Sequence, residues 1–146
     1  MLKKILIALV ILLVGIQLYR PAKNISEGTP ETDFLIVNNA DESMATLIKN
    51  ACYDCHSNNT KYPWYAEVAP FSWWIAHHVD EGKEELNFSE WSTFTEKKKN
   101  HKLKEIIEEV EKRKMPMESY LPMHPEANLT DDQIKQLTDW VRTLQQ

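Results

Sequence analysis

Cys52-Tyr53-Asp54-Cys55-His56 gathers both cysteines of a 146-residue chain into one five-residue run. CxxCH is the attachment signature of a covalent c-type haem, and the chemistry explains the spacing. Cys, two spacers and Cys on one helical turn bring two sulfurs to one edge of a porphyrin, where they add across its two vinyl groups. The next residue, His56, then presents an imidazole nitrogen to the iron. Three other uses of the run compete with this one. A redox dithiol expects a strand–helix–strand setting, and no convincing pattern of that kind surrounds it. A zinc site needs two further ligands. His77, His78, His101 and His124 are available, but no second CxxC or spaced HxxxH pair completes the set. A disulfide across so short a loop is geometrically demanding. One covalent haem c is the expected cofactor, with Cys52, Cys55 and His56 as its attachment set.

The N-terminus speaks to compartment. Met1-Leu2-Lys3-Lys4 is a short basic start, and an almost purely apolar run follows from Ile5 to Leu18, closed by Tyr19, Arg20 and Pro21. This is the n-region and h-region pattern of an export signal, without a small-residue cleavage site after it. A helix from Met1 to Tyr19 spans roughly 28 Å at 1.5 Å per residue, near a hydrocarbon thickness of about 30 Å. Lys3, Lys4 and Arg20 can snorkel to the interfaces, and Tyr19 suits the headgroup level. Residues 1–20 therefore read as an uncleaved signal anchor in preference to a removed signal peptide. CxxCH haem attachment takes place outside the cytoplasmic membrane. The expected location is that membrane, single-pass, with the body facing the periplasm, or the periplasm itself if the segment is cleaved.

Residues 21–33, rich in Pro, Asn, Ser, Glu, Gly and Thr, read as a polar tether, and residues 34–146 as one small domain. Residues 1–20 hold three basic and no acidic side chains. The remaining 14 Lys and Arg against 22 Asp and Glu leave the rest of the chain near −8. That balance argues against nucleic acid or an anionic membrane surface as a partner and suits a membrane-associated redox protein with a basic docking face.

Helical periodicity dominates, and three glycines are too few for a hairpin-rich β fold. A first helix is expected from about Asp41 to the motif, with Met44, Leu47, Ile48 and Ala51 inward. A second follows Pro70, with Ser72 as N-cap and Gly82 at or beyond its end. A third starts at a capping box, Thr93 to Glu96, buries Leu103, Ile106, Ile107 and Val110, and ends near Met115 before Pro116. The fourth starts at the capping box Thr130 to Gln133 and buries Ile134, Leu137, Val141 and Leu144, with Trp140 beside them. The fold class is all-α. A helix into CxxCH, intervening helices, a Met-Pro loop and a last amphipathic helix resemble the layout of a small monohaem cytochrome c. In that layout a methionine from the loop before the last helix takes the sixth iron position. Met115, directly before Pro116, is the first candidate for it, Met117 the second and Met123 the third. Ordinary core filling is the alternative for each.

A narrower resemblance rests on motifs in order: Cys52-Tyr-Asp-Cys-His-Ser-Asn-Asn-Thr-Lys-Tyr-Pro-Trp-Tyr65, Pro70-Phe-Ser-Trp-Trp74, Glu81-Gly82 with Leu86-Asn-Phe-Ser-Glu-Trp91, and Met115-Pro116 with His124-Pro-Glu-Ala127. Over residues 34–144 the chain is similar to the bacterial haem-binding domain family, small proteins that are often membrane-anchored and carry one CxxCH. The resemblance implies Cys52, Cys55 and His56 as the attachment set and puts Met115 on the family's Met-Pro position. It implies no particular reaction.

Around the motif, Trp64, Trp73 and Trp74 are the candidate walls of a large flat apolar cofactor, against the alternative of a plain aromatic core. His77, His78 and His124 are lesser candidates for a distal ligand, and His101 in its lysine-rich run reads as solvated. A membrane-tethered electron carrier with His56 and Met115 on the iron is the leading functional expectation. A gas or redox sensor in which the methionine yields is the first alternative. A peroxidase-like enzyme, which needs an open iron position and an acid–base group such as His77, His78 or Glu81, is the second.

Overall fold

The computed structural model describes residues 1–145, and every regular element among them is helical. The apolar N-terminal run forms α1 (Leu2–Ile16), whose aliphatic side chains are almost all exposed. Its 15 residues give a length of roughly 22 Å. No helix among the described residues is long and apolar enough to cross a membrane. The expected helix to Tyr19 thus stops short, and the reason is local. Gln17 turns its amide onto the Leu13 carbonyl at 3.0 Å and onto the backbone of Ala69, far along the chain. The backbone leaves the helix there.

The segment expected as a tether is laid against the domain. Asn24 Nδ2 donates to the Ser57 carbonyl at 2.8 Å and to Thr60 Oγ1 at 2.9 Å, and Lys83 Nζ donates to Asn24 Oδ1 at 2.7 Å. The Asn24 carbonyl accepts from Thr60 N–H at 2.9 Å. Asp33 then caps a single turn, α2 (Phe34–Val37), by accepting from Leu35 N–H at 2.9 Å. That turn had no strong sequence signal. It is held by burial: Phe34 is fully enclosed, with Phe88, Trp91 and Trp140 at centroid distances of 4.9, 4.7 and 5.5 Å.

Asp41 caps α3 (Glu42–Ile48) through Met44 N–H, as its position before the periodic run suggests. The chain then widens into π-helical turns over Lys49–Tyr53 and closes on α4 (Asp54–His56), so the CxxCH run straddles the π-to-α junction. Such widenings are characteristic of functional sites. Ser57 ends the element by going extended, with its hydroxyl donating back to the Tyr53 carbonyl at 2.8 Å.

α5 (Phe71–Glu85) begins at Pro70 with no side-chain cap, so Ser72 is not the N-cap. Gly82 lies inside the helix, before its C-terminus. α6 (Glu96–Glu111) is capped by Thr95, two residues later than expected, and ends four residues before Met115, where Arg113 takes a left-handed φ of +53°. α7 (Asp131–Thr143) starts at the complete Thr130–Gln133 capping box. It packs along α6, burying Leu137 and Val141 against Leu103 and Val110. Burial of these aliphatic and aromatic side chains drives the assembly, each contributing about 1.5–3 kcal/mol.

Candidate functional site

The motif turn, α5 and the loop after α6 enclose a cavity of about 380 Å³. Cys52, Cys55 and His56 line it from one side, and Met115, Pro116, Met117 and Tyr120 line it from the other. Residues separated by some 60 positions in sequence thus share one wall system, with His78, Glu81 and Gly82 of α5 between them. A larger cavity of about 680 Å³ adjoins it and shares Asp54, Cys55, His78, Met117 and Tyr120. Its remaining lining is mostly aromatic and aliphatic and includes Trp64, Phe71, Trp74 and Met123. A volume of this order is that of a cofactor pocket.

His56 is set with care. Its Nδ1 lies 2.8 Å from the Gly82 carbonyl and 3.0 Å from the Leu86 carbonyl. A carbonyl can only accept, so Nδ1 carries the proton and Nε2 keeps its lone pair. This is the outer-shell arrangement that fixes the tautomer of a metal-ligating histidine. Burial holds the imidazole pKa below its ordinary value, favouring the neutral ring that a metal requires. Phe88 meets the ring edge-on at 6.2 Å.

Gly82 makes that contact possible. A Cβ there would sit 2.8 Å from the Cys55 carbonyl oxygen and 3.1 Å from the Cys55 Cβ. Only a bare α-carbon lets α5 approach the motif closely enough to offer its carbonyl to His56.

The two cysteines are not joined to each other. Burial pushes the Cys52 thiol up to about 12 and the Cys55 thiol up to about 11. Both are protonated at neutral pH, which is the reverse of an activated redox dithiol. No group of three or more His, Cys, Asp or Glu side chains among the described residues could hold a metal ion, so the zinc alternative finds no partners for the cysteines. The donor set fits haem instead: two thiols on one turn, an imidazole with its Nε2 free, and thioethers on the facing loop.

The remaining candidates separate clearly. Trp64 and Trp74 border the larger cavity, whereas Trp73 turns away from both. Its indole N–H donates to the Tyr19 carbonyl at 2.9 Å and its ring meets Tyr19 edge-on, so Trp73 is not a wall of the site. Met123 borders only the larger cavity, and Met117 borders both. His77 points outward to Glu81 at 3.3 Å. His78, by contrast, borders both cavities and donates Nδ1–H to the Trp74 carbonyl at 2.8 Å, which leaves its Nε2 free. His124 has no nitrogen to spare. Tyr65 Oη sits 2.7 Å from its Nε2, Glu126 lies 3.4 Å from its Nδ1, and Tyr120 stacks on the ring at 3.9 Å. His101 faces solvent beside Glu105.

Three contributors were invisible in the sequence. The carbonyls of Gly82 and Leu86 have no side-chain signature at all. Asp54, a spacer residue of the motif, accepts from Tyr120 Oη at 2.7 Å and so ties the motif turn to the methionine loop. A family model described as a haem-binding domain matches residues 11–143, and the chain belongs to that family. No curated protein and no solved structure matches it.

Proposed function

As a member of the haem-binding domain family, the chain is, we propose, a membrane-tethered electron carrier with one covalent haem c. Cys52 and Cys55 hold the porphyrin by thioether bonds, His56 is the proximal iron ligand and Met115 the distal one. The N-terminal segment keeps the domain on the periplasmic face of the cytoplasmic membrane, where its partners are membrane-associated redox proteins. The bound haem supplies a one-electron iron couple. This chain's residues orient the ligands, keep water from the site and set the potential through ligand type and burial.

The observation that carries the reading is the double carbonyl contact at His56 Nδ1, which leaves Nε2 aimed for coordination. Two protein ligands on one iron leave no coordination site for substrate, and outer-sphere electron transfer is the chemistry that remains. Absorption and magnetic circular dichroism of the holoprotein, with and without carbon monoxide, test this. Low-spin iron in both oxidation states that ignores the gas supports the carrier. High-spin five-coordinate iron in the isolated protein contradicts it.

A second reading has one observation in its favour. His78 and Glu81 both border the cavity that holds His56, which would supply acid–base groups beside an open iron. Peroxide turnover with an electron donor would favour that peroxidase-like alternative, and ready carbon monoxide binding without turnover would favour a sensor.

A further inference from the structure

The larger cavity opens through a surface unlike the rest of this acidic chain. Between Lys61 and Asp80 there is no lysine or arginine and one carboxylate, Glu67. Within that stretch Trp64 is 77 % exposed, Phe71 57 %, Trp74 43 % and Val68 42 %. Exposed aromatics gathered in this way mark a contact surface. The lone carboxylate is neutralised by residues that directly follow the apolar N-terminal run: Lys23 donates to it and Arg20 lies 3.7 Å away. Lys23 also sits 5.3 Å from the Tyr62 ring centroid. One carboxylate against two cations leaves this corner positive, on a chain whose net charge is negative.

α1 is fixed to the same corner. Gln17 both donates to the Ala69 carbonyl at 3.1 Å and accepts from Ala69 N–H at 2.9 Å, and Tyr19 is pinned to Trp73 through its carbonyl and its ring. The apolar helix and the aromatic surface are therefore one continuous feature hinged at Ala69, not a domain on a loose leash. We infer that the 64–74 surface is a membrane-docking face: Trp64, Val68, Phe71 and Trp74 enter the lipid headgroup region of the bilayer that holds α1. The occupant follows from the chemistry. Tryptophan and phenylalanine beside Arg20 and Lys23, two cations to the one carboxylate of Glu67, are the composition of an interfacial segment on anionic lipid. The inference rests on the tether reading of α1, and it adds a fixed orientation with the larger cavity opening toward the lipid.

The test uses the full-length holoprotein in vesicles of phosphatidylethanolamine and phosphatidylglycerol doped with a phospholipid carrying a photoreactive diazirine near its acyl carbonyl. After illumination, labelled peptides are mapped by mass spectrometry. Labelling of α1 and of the 64–74 peptide, with α6 unlabelled, is the expected result. Labelling of α1 alone overturns the docking face and leaves the tether intact. An unlabelled α1 removes the tether reading and the docking face with it. Labelling of 64–74 and α6 alike shows no preferred orientation and also overturns it.

Discussion

His56 donates through Nδ1 to the carbonyl of Gly82 at 2.8 Å, and Gly82 in turn has no room for a Cβ because Cys55 lies against it. One contact thus links the tautomer of His56, the proposed iron ligand, to the packing of the motif on α5. Gly82→Ala forces a methyl into the Cys55 carbonyl, and α5 must move to admit it. The expected cost is about 1–3 kcal/mol of stability. The expected spectroscopic sign is a changed iron ligand field, because the His56 hydrogen bond moves with the helix. Denaturant unfolding of the holoprotein and its electron paramagnetic resonance spectrum check both halves. An unchanged spectrum with lost stability would restrict Gly82 to packing.

The methionines make an ordered series. Met115 borders only the first of the two cavities, the one His56 lines, Met117 borders both, and Met123 borders only the larger one. Met115→Ala is expected to lower the reduction potential or open the iron to carbon monoxide, and Met123→Ala to do neither. Redox titration of the two variants decides it. A large effect from Met117→Ala with none from Met115→Ala would move the distal ligand by two residues.

Not all of this was legible beforehand. The motif is local chemistry, so its spacing in sequence is its spacing in space. The α7 capping box was equally readable, because Thr130 and Gln133 satisfy each other within one turn. Gly82 was misread as a helix stop because its reason for being glycine is tertiary: a neighbour, Cys55, that sequence distance hides. Trp73 failed for a related cause. Its position beside Trp74 says nothing about which face of α5 it occupies until Tyr19 is known to receive its N–H. Trp140 was read beside the buried face of the last helix, but the aromatic core it forms with Phe34, Phe88 and Trp91 was missed, because α2, which carries Phe34, is too short for periodicity to show.

The thiols give a pH-dependent prediction. A cysteine is neutral when protonated, and folding raises Cys52 from 9.0 to about 12 and Cys55 from 9.0 to about 11. The folded chain without haem therefore holds these protons more tightly than the unfolded one. The stability this contributes is complete below about pH 9 and is lost as pH climbs through 11 and 12. Both cysteines are expected to react slowly with iodoacetamide at neutral pH when folded and readily in denaturant. Fast alkylation of the native apoprotein would show the thiols to be unshielded. Slow alkylation implies that thioether formation precedes the closing of α5 on the motif.

Asn24 supplies a fourth prediction, since it connects the segment before the domain to the loop after the motif and to α5. Its side chain makes hydrogen bonds with the Ser57 carbonyl, Thr60 and Lys83. Asn24→Ala removes all three, at about 0.5–1.5 kcal/mol each. A loss of roughly 2–3 kcal/mol of unfolding free energy, read as a lower denaturant midpoint, is expected, where a free tether residue would show none.

The most direct test of the central claim is the alkaline pyridine spectrum of the full chain, matured in cells that attach haem to a control cytochrome and then denatured. A c-type reduced spectrum from haem that stays on the polypeptide establishes thioether bonds at Cys52 and Cys55. Haem that washes away on denaturation, or a chain that never acquires it, contradicts covalent attachment and leaves His56 and the methionine loop as at most a reversible site.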